Sequence, residues 1–311
     1  MGITKSEILL AKLNTFFQRV NPKNIFSSIY AYYRTYENYK DVLLNIVRGK
    51  YPFRAKLRNG RSVEISNHLI AYFYTVYFNK YQDIKLDNFT LEFTFYGKKL
   101  RFYGWKKGNV EEIFVFNEYD ALDIKDRIVI DVGASIADST VYFALKGAKK
   151  VIAFEPFPKI FSIAEKNIKE NNVESKVTLV NAGCGYDGKV NINTDLETDA
   201  SAYLVDQKYG IEIPVYSLDS IVSKYNIEEG SILKVDCEGC EYPLILQSSK
   251  DSISKFYQII IEYHYGYKPI VERLRELNFK VKYTLPKVVV ISPNLKYING
   301  KIFAISNYIY K

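Results

Sequence analysis

Three cysteines, two histidines, one methionine and one tryptophan are the scarcest residues of this 311-residue chain. Each scarcity excludes something. Three cysteines cannot build a disulfide framework, so the fold rests on an apolar core, and a reduced, cytoplasmic setting is expected. Nor can they complete a four-ligand zinc site. The Cys237-Glu238-Gly239-Cys240 motif is therefore read as structural or incidental cysteines. Long hydrophobic runs are also missing. The longest, Leu69 to Phe78, has ten residues, half the ~20 that cross a bilayer. No transmembrane segment is expected, and the N-terminus lacks the apolar stretch and small-residue cleavage site of a secretory signal. Although the net charge is +8 and the isoelectric point is near 9.0, no block of five like charges occurs. That pattern favours a phosphorylated or lipid-phosphate-linked partner over nucleic acid.

What the chain does contain is typical of a globular protein: 48% apolar and 25% charged residues. Its length allows one large domain or two ordinary ones. Residues 3–48 show helical spacing, broken at Asn21-Pro22, with a second helix through Ile25, Ile29, Tyr32, Tyr33, Tyr36, Val42 and Ile46. Alternating residues on either side of Asn59-Gly60 predict a hairpin. Ser66-Asn67 can cap the aromatic helix that follows, which is expected to end near Lys80. A second hairpin is expected over Phe89 to Tyr103, around Gly97. The aromatics of this half read as core, and no catalytic constellation occurs in it.

From about residue 126 the pattern changes. Continuous apolar runs (IVIDV, KVIAF, KVTLV, SILKV, YQIII) alternate with helical segments. Such runs mark strands buried on both faces, hence a parallel sheet covered by helices. The last strands, after Tyr283, lack a helix-length crossover and should pair antiparallel. The expected organisation is an accessory α+β region over 1–122 and a doubly wound, mostly parallel α/β domain over 123–311.

Three places in the second half carry chemistry. The first strand runs through Asp131 into a turn at Gly133-Ala134, then a helix. Glycine lets the backbone turn sharply and approach a ligand, and free amides at the helix start can receive an anion. Glu155, 24 residues beyond Asp131 at the end of the second strand, can accept both ribose hydroxyls of a nucleoside. Alanines at 134 and 137, where a dinucleotide site prefers glycine, favour S-adenosylmethionine over NAD. Next, Lys234, Asp236 and Glu238 fall on and just beyond a buried strand. Charges there are costly unless paired, so Lys234 and Asp236 read as paired and functional, with Glu238 aimed into the same crevice. The third place is Glu262 and His264, at the end of the following strand, where histidine can take a proton at neutral pH. Asp236, Glu238, Glu262 and His264 could together hold Mg²⁺.

Segments VIDVGASIADST (129–140), VIAFEPFP (151–158), VTLVNAGCG (177–185) and ILKVDCEGCEYPLI (232–245), in this order, resemble the FkbM methyltransferases. That resemblance implies a Rossmann-like methyltransferase sheet, S-adenosylmethionine as cofactor, and methyl transfer to a hydroxyl of a sugar, glycolipid or similar small acceptor. Carried over by position, Asp131, Gly133 and Ala134 would hold the methionine end, with Asp236 also at the cofactor. Glu155 would hold the ribose, and Asn181-Ala182 would lie by the adenine. Ala137 stands where the family often has glycine, with a slight loss of room expected. The catalytic candidates are His264 as base, with Asp236, Glu238 and Lys234. Rival readings are an NAD-dependent oxidoreductase acting on sugars and a non-catalytic module that binds a nucleoside or carbohydrate.

Overall fold

The computed structural model describes residues 23–192, 210–292 and 295–307. They form two compact units that divide between Glu118 and Tyr119.

In the first unit, the helix expected from 25 to 46 occurs as two, α1 (Lys23–Thr35) and α2 (Tyr39–Val47). The break has a local cause. Tyr36 bridges to Leu57, and the Glu37 amide donates to the Lys56 carbonyl at 2.8 Å, so this segment leaves the helix to pair with a strand. The expected helix before Asn21 lies outside the described residues. Strands β1 (Phe53–Lys56) and β2 (Ser62–Ile65) form the first hairpin, with Phe53 opposite Ile65. Helix α3 (His68–Phe78) starts at Asn67, whose side chain accepts the Ile70 amide at 3.0 Å. Strands β3 (Lys85–Leu86), β4 (Thr90–Phe95) and β5 (Lys98–Tyr103) make an antiparallel sheet, followed by α4 (Val110–Phe114). Tyr96 and Gly97, both at positive φ, form the two-residue turn between β4 and β5.

The second unit alternates strand and helix: β6 (Ile128–Val132), α5 (Asp138–Leu145), β7 (Lys150–Phe154), α6 (Pro158–Glu170) and β8 (Val177–Val180). A small sheet of β9 (Gly183–Cys184), β10 (Gly188–Ile192) and β11 (Ile211–Tyr216) follows, then α7 (Leu218–Lys224), β12 (Ser231–Val235), α8 (Glu241–Leu246) and α9 (Lys250–Ile253). The chain continues through β13 (Phe256–Tyr263), α10 (Lys268–Glu276), β14 (Phe279–Tyr283), β15 (Lys287–Ser292) and β16 (Leu295–Ser306).

The large sheet has the order β14-β16-β13-β12-β6-β7-β8, with β15 paired to β16. Strands β13, β12, β6, β7 and β8 run parallel, and β16 is antiparallel to both β13 and β14. This is a Rossmann-like α/β fold. Every residue of β6 and β12 is buried, as continuous apolar runs require. Because the central strands are parallel, their C-terminal ends reach one edge of the sheet, where open α/β folds place ligands.

Candidate active site

Four neighbouring strands, β13-β12-β6-β7, deliver the site residues to that edge. Beyond β6, Gly133 takes φ +76°. A Cβ there would overlap the Asp236 carbonyl oxygen, so only glycine lets the β6 and β12 loops come this close. Ser135 (φ +47°) and Ala137 (φ +65°) also lie in the left-handed region. Such a turn persists only when its surroundings over-determine it. The Gly133 and Ala134 amides both donate to the Phe154 carbonyl, at 3.1 and 2.9 Å, and the Ala137 amide to the Ala134 carbonyl. The buried Asn167 amide group donates to the Ile136 carbonyl at 2.8 Å. The expectation of free amides at the helix start is therefore corrected for these positions, because the amides brace the turn. At Ala137 the penalty is conformational rather than spatial: alanine occupies a conformation that glycine adopts freely.

Lys234 and Asp131 also depart from expectation. The Lys234 ammonium pairs with Asp131 on the adjacent strand, at 3.0 Å, and not with Asp236. It donates to the Gly133 carbonyl at 2.7 Å and the Val132 carbonyl at 3.3 Å. Asp131 Oδ2 accepts the Ser139 and Thr140 hydroxyls, each at 2.7 Å. Both residues are buried. Lys234 is thus a buttress under the Gly133 turn rather than a group at the reacting atoms, and Asp131 anchors α5 rather than facing a ligand. Burial alone would lower the Lys234 ammonium, but the Asp131 and Asp236 charges hold it above its usual range.

Glu155 is buried just beyond β7. Its Oε2 accepts the Ser135 amide and its Oε1 the Phe157 amide, both at 2.9 Å. Burial pushes its carboxyl up to about 8, against the pull of these amides and of Lys234. Asn181 donates to the Glu155 and Pro156 carbonyls at 2.8 and 2.9 Å, fixing the β7 end, while Ala182 is core.

Beyond β12 and β13 lies a cluster around His264. Its Nε2 is 3.3 Å from Glu238 Oε2, 3.7 Å from Glu262 Oε1 and 3.9 Å from Asp236 Oδ1. On the other side, Nδ1 is 3.0 Å from Glu241 Oε1, which also accepts the His264 backbone amide at 3.0 Å. Burial alone would lower the imidazole pKa. The Glu241 hydrogen bond and the Glu241, Glu238 and Asp236 charges overcome it and raise the pKa to about 9. These surroundings favour the imidazolium, whereas the sequence reading of His264 as the base needs the neutral imidazole. Burial and the neighbouring acids raise Glu238 to about 7 and Glu262 to about 8. Asn299 donates to Glu262 at 2.8 Å. Asp236, Glu262 and His264 bring ligand atoms within 4.8 Å of one another, close enough to share a cation.

Cys237 and Cys240 form a disulfide, the structural one of the two readings of these cysteines. A count too low for a framework still permits one local bridge. Sequence reasoning did not place Glu241 in the site, although it is the central acceptor of the cluster. Its spacing of three from Glu238, across a turn into a helix, was the available signal.

The family model of the Methyltransferase FkbM domain matches residues 131–281. Residues 131–281 are thus similar to FkbM methyltransferase domains. That matched segment runs from the end of β6 into β14 and includes every group of the His264 cluster except Asn299. Protein 158B of Sulfolobus islandicus rod-shaped virus 1 is 40% identical over 60 residues, 19% of this chain and 38% of that protein. Methyltransferase 1 of Beauveria bassiana is 25% identical over 160 residues, 43% of this chain and 64% of its own. The chain thus spans less than two thirds of either relative. Among solved structures, a precorrin 8W decarboxylase from Methanobacterium thermoautotrophicum is 16% identical, with 58% of this chain and 82% of that one covered, at a TM-score of 0.36. No helix among the described residues is long and apolar enough to cross a membrane.

Proposed function

We propose that this chain transfers a methyl group from S-adenosylmethionine to a hydroxyl oxygen of a small acceptor, a sugar or glycolipid. The +8 charge favours an anionic form such as a lipid-phosphate-linked glycan. The observation that carries the reading is the shared edge. The Gly133 turn and Glu155 follow β6 and β7, and the His264 cluster follows the adjacent β12 and β13.

The residues present fit the cofactor at two points. Gly133 and Ser135 are only half-buried, so the turn's backbone is open to approach. Glu155 uses one amide donor on each oxygen, leaving each oxygen a further lone pair for a ribose hydroxyl. Donors there would favour its ionised form against the burial that raises it. When bound, S-adenosylmethionine supplies an electrophilic methyl on a sulfonium. The chain's own task is to orient the acceptor hydroxyl and take its proton. His264 is already protonated, so the proton goes to a carboxylate. Glu238, titrating near 7, is matched to that task. Asp236, the most exposed of the four acids at 21%, is the alternative. The imidazolium holds these carboxylates together against their mutual repulsion.

A finer reading adds a divalent cation. Asp236, Glu262 and His264 offer two hard oxygens and an imidazole, a set that suits Mg²⁺ or Mn²⁺. Ligation would require Nε2 to lose its proton, so binding would tighten as pH rises.

Calorimetric titration with S-adenosylhomocysteine and NAD separates this reading from an oxidoreductase. Glu155→Ala should weaken S-adenosylhomocysteine binding by roughly 1.5–3 kcal/mol. A wild-type protein that ignores S-adenosylhomocysteine at millimolar concentration would sink the assignment. Labelled methyl transfer to a glycan panel, with RNA and DNA as comparison and with EDTA against added Mg²⁺, tests acceptor and cation together.

A further inference from the structure

The turn between β12 and α8 holds an arrangement that methyl transfer does not by itself explain. Glu238 lies at φ +55° and Gly239 at φ +119°, two consecutive left-handed residues, one of them not glycine. An L-residue stays in that region only when its surroundings fix it. Two restraints close the turn. One is the Gly239 amide donating to Glu241 Oε2 at 2.8 Å. The other is the Cys237–Cys240 disulfide, which ties together the residues on either side of Glu238 and Gly239, with Cα atoms 5.5 Å apart. The last ladder bond of β12 is made at Asp236, whose amide donates to the Val132 carbonyl. From there to the first turn of α8, the disulfide is the only covalent cross-link, and within its loop lies the carboxylate 3.3 Å from His264.

We propose that the Cys237–Cys240 disulfide is a positioning element: it holds Glu238 against His264, and a dithiol reductant releases it. Residues 236–240 are half-buried, so a small dithiol can reach the bridge. In the exchange the protein S–S bond breaks and one forms in the reductant. Two electrons and two protons pass to Cys237 and Cys240, leaving two thiols. The third cysteine, Cys184, is buried, and burial pushes its thiol up, which keeps it out of the exchange. With the loop open, Glu238 can return to the ordinary α or β regions, and its carboxylate leaves Nε2. Cys237 and Cys240 touch no reacting atom in this scheme. They act through Glu238, and their effect on turnover rests on the proposed function, whereas the geometric effect does not.

The chain has only two histidines, His68 and His264, so ¹⁵N-histidine labelling gives two assignable imidazoles, with His68→Gln identifying the other. Full-length protein is compared before and after dithiothreitol, and thiol counts confirm each state. The His264 signals should shift on reduction and return on reoxidation, while those of His68 stay in place. Cys240→Ser should show the reduced-state shift and ignore dithiothreitol. If that variant does not fold, the wild-type pair decides. S-adenosylhomocysteine affinity should agree within about threefold between the two states, and turnover should fall by up to roughly 10²-fold on reduction, the scale of a small misplacement of a catalytic group. Unchanged His264 signals in fully reduced protein would overturn the proposal, as would a parallel collapse of S-adenosylhomocysteine binding. Absence of turnover in both states, with the His264 shift present, would count against the proposed function alone.

Discussion

Around Trp105 the first unit is packed almost entirely from rings. Phe73 meets the indole edge-on at 4.7 Å, and Phe93, Phe102 and Phe114 close the same core. Polar tips there go to backbone carbonyls: Trp105 Nε1 to Asp87, and the Tyr81 hydroxyl to Phe114. Among its described residues no charged group is buried. The sheet edge of the second unit is the opposite. Asp131, Asp138, Glu155, Lys234, Glu241 and His264 are each at most 5% exposed. Buried charge is a weak source of stability, since desolvation offsets attraction. The ring-packed unit is built for burial alone. The charged edge keeps groups that a purely structural core would replace with apolar side chains, and it keeps them where open α/β folds place ligands.

The largest expected effect breaks this contrast by removing one side of the buried pair. Lys234→Met should destabilise by about 3–5 kcal/mol, because Asp131 is left charged and unpaired. Trp105→Ala should lose about 3–5 kcal/mol as well, through a cavity. Chemical denaturation separates the two causes. Adding Asp131→Val to Lys234→Met should recover much of the loss, whereas a second truncation beside Trp105 should deepen it.

His264→Ala should reduce turnover roughly 10²-fold while S-adenosylhomocysteine affinity is kept, because the cluster loses the cation that orders its carboxylates. The wild-type rate profile should show no acid limb from His264 between pH 6 and 7. A limb there that survives Glu238→Gln and disappears in His264→Ala would restore His264 as the base.

A smaller effect concerns pH. Glu155, Glu238 and Glu262 have folded pKa values of about 8, 7 and 8, above the ordinary carboxylate value. His264 is raised from 6.5 to about 9. A group with a raised folded pKa contributes stability below its unfolded pKa and loses it as pH rises through the folded value. All four therefore act in one direction. In the presence of EDTA, stability should be greatest near pH 5 and decline towards pH 9. A thermal-melt series that rises over this range would contradict the cluster's electrostatics.

The smallest effect is at Ala137. Releasing alanine from φ +65° by Ala137→Gly should raise stability by up to ~1 kcal/mol. A decrease would show that the α5 start holds alanine for its packing.

Much of this was legible in the residues. Continuous apolar runs gave the parallel sheet, and Asn59-Gly60 and Gly97 gave the hairpins. The strand-end positions of Gly133, Glu155, Asp236 and His264 followed from counting along those runs. Partner choice was not legible. Lys234 was read with Asp236 because the two share a strand face, but its ammonium reaches across to Asp131 on β6, where two backbone carbonyls add acceptors. The protonation of His264 was out of reach for the same reason. It depends on four acids converging from the β12 loop, α8 and β13.

The sequence by itself determined the α/β alternation, the strand ends that carry the candidate residues, and the FkbM resemblance, because these depend on local periodicity and on short motifs. Only the tertiary structure decided which charges are paired, which histidine nitrogen faces which carboxylate, and that Cys237 and Cys240 are joined. Those outcomes depend on distances between separate strands and loops and on the loss of water around them. Neither quantity is written in the order of residues along the chain.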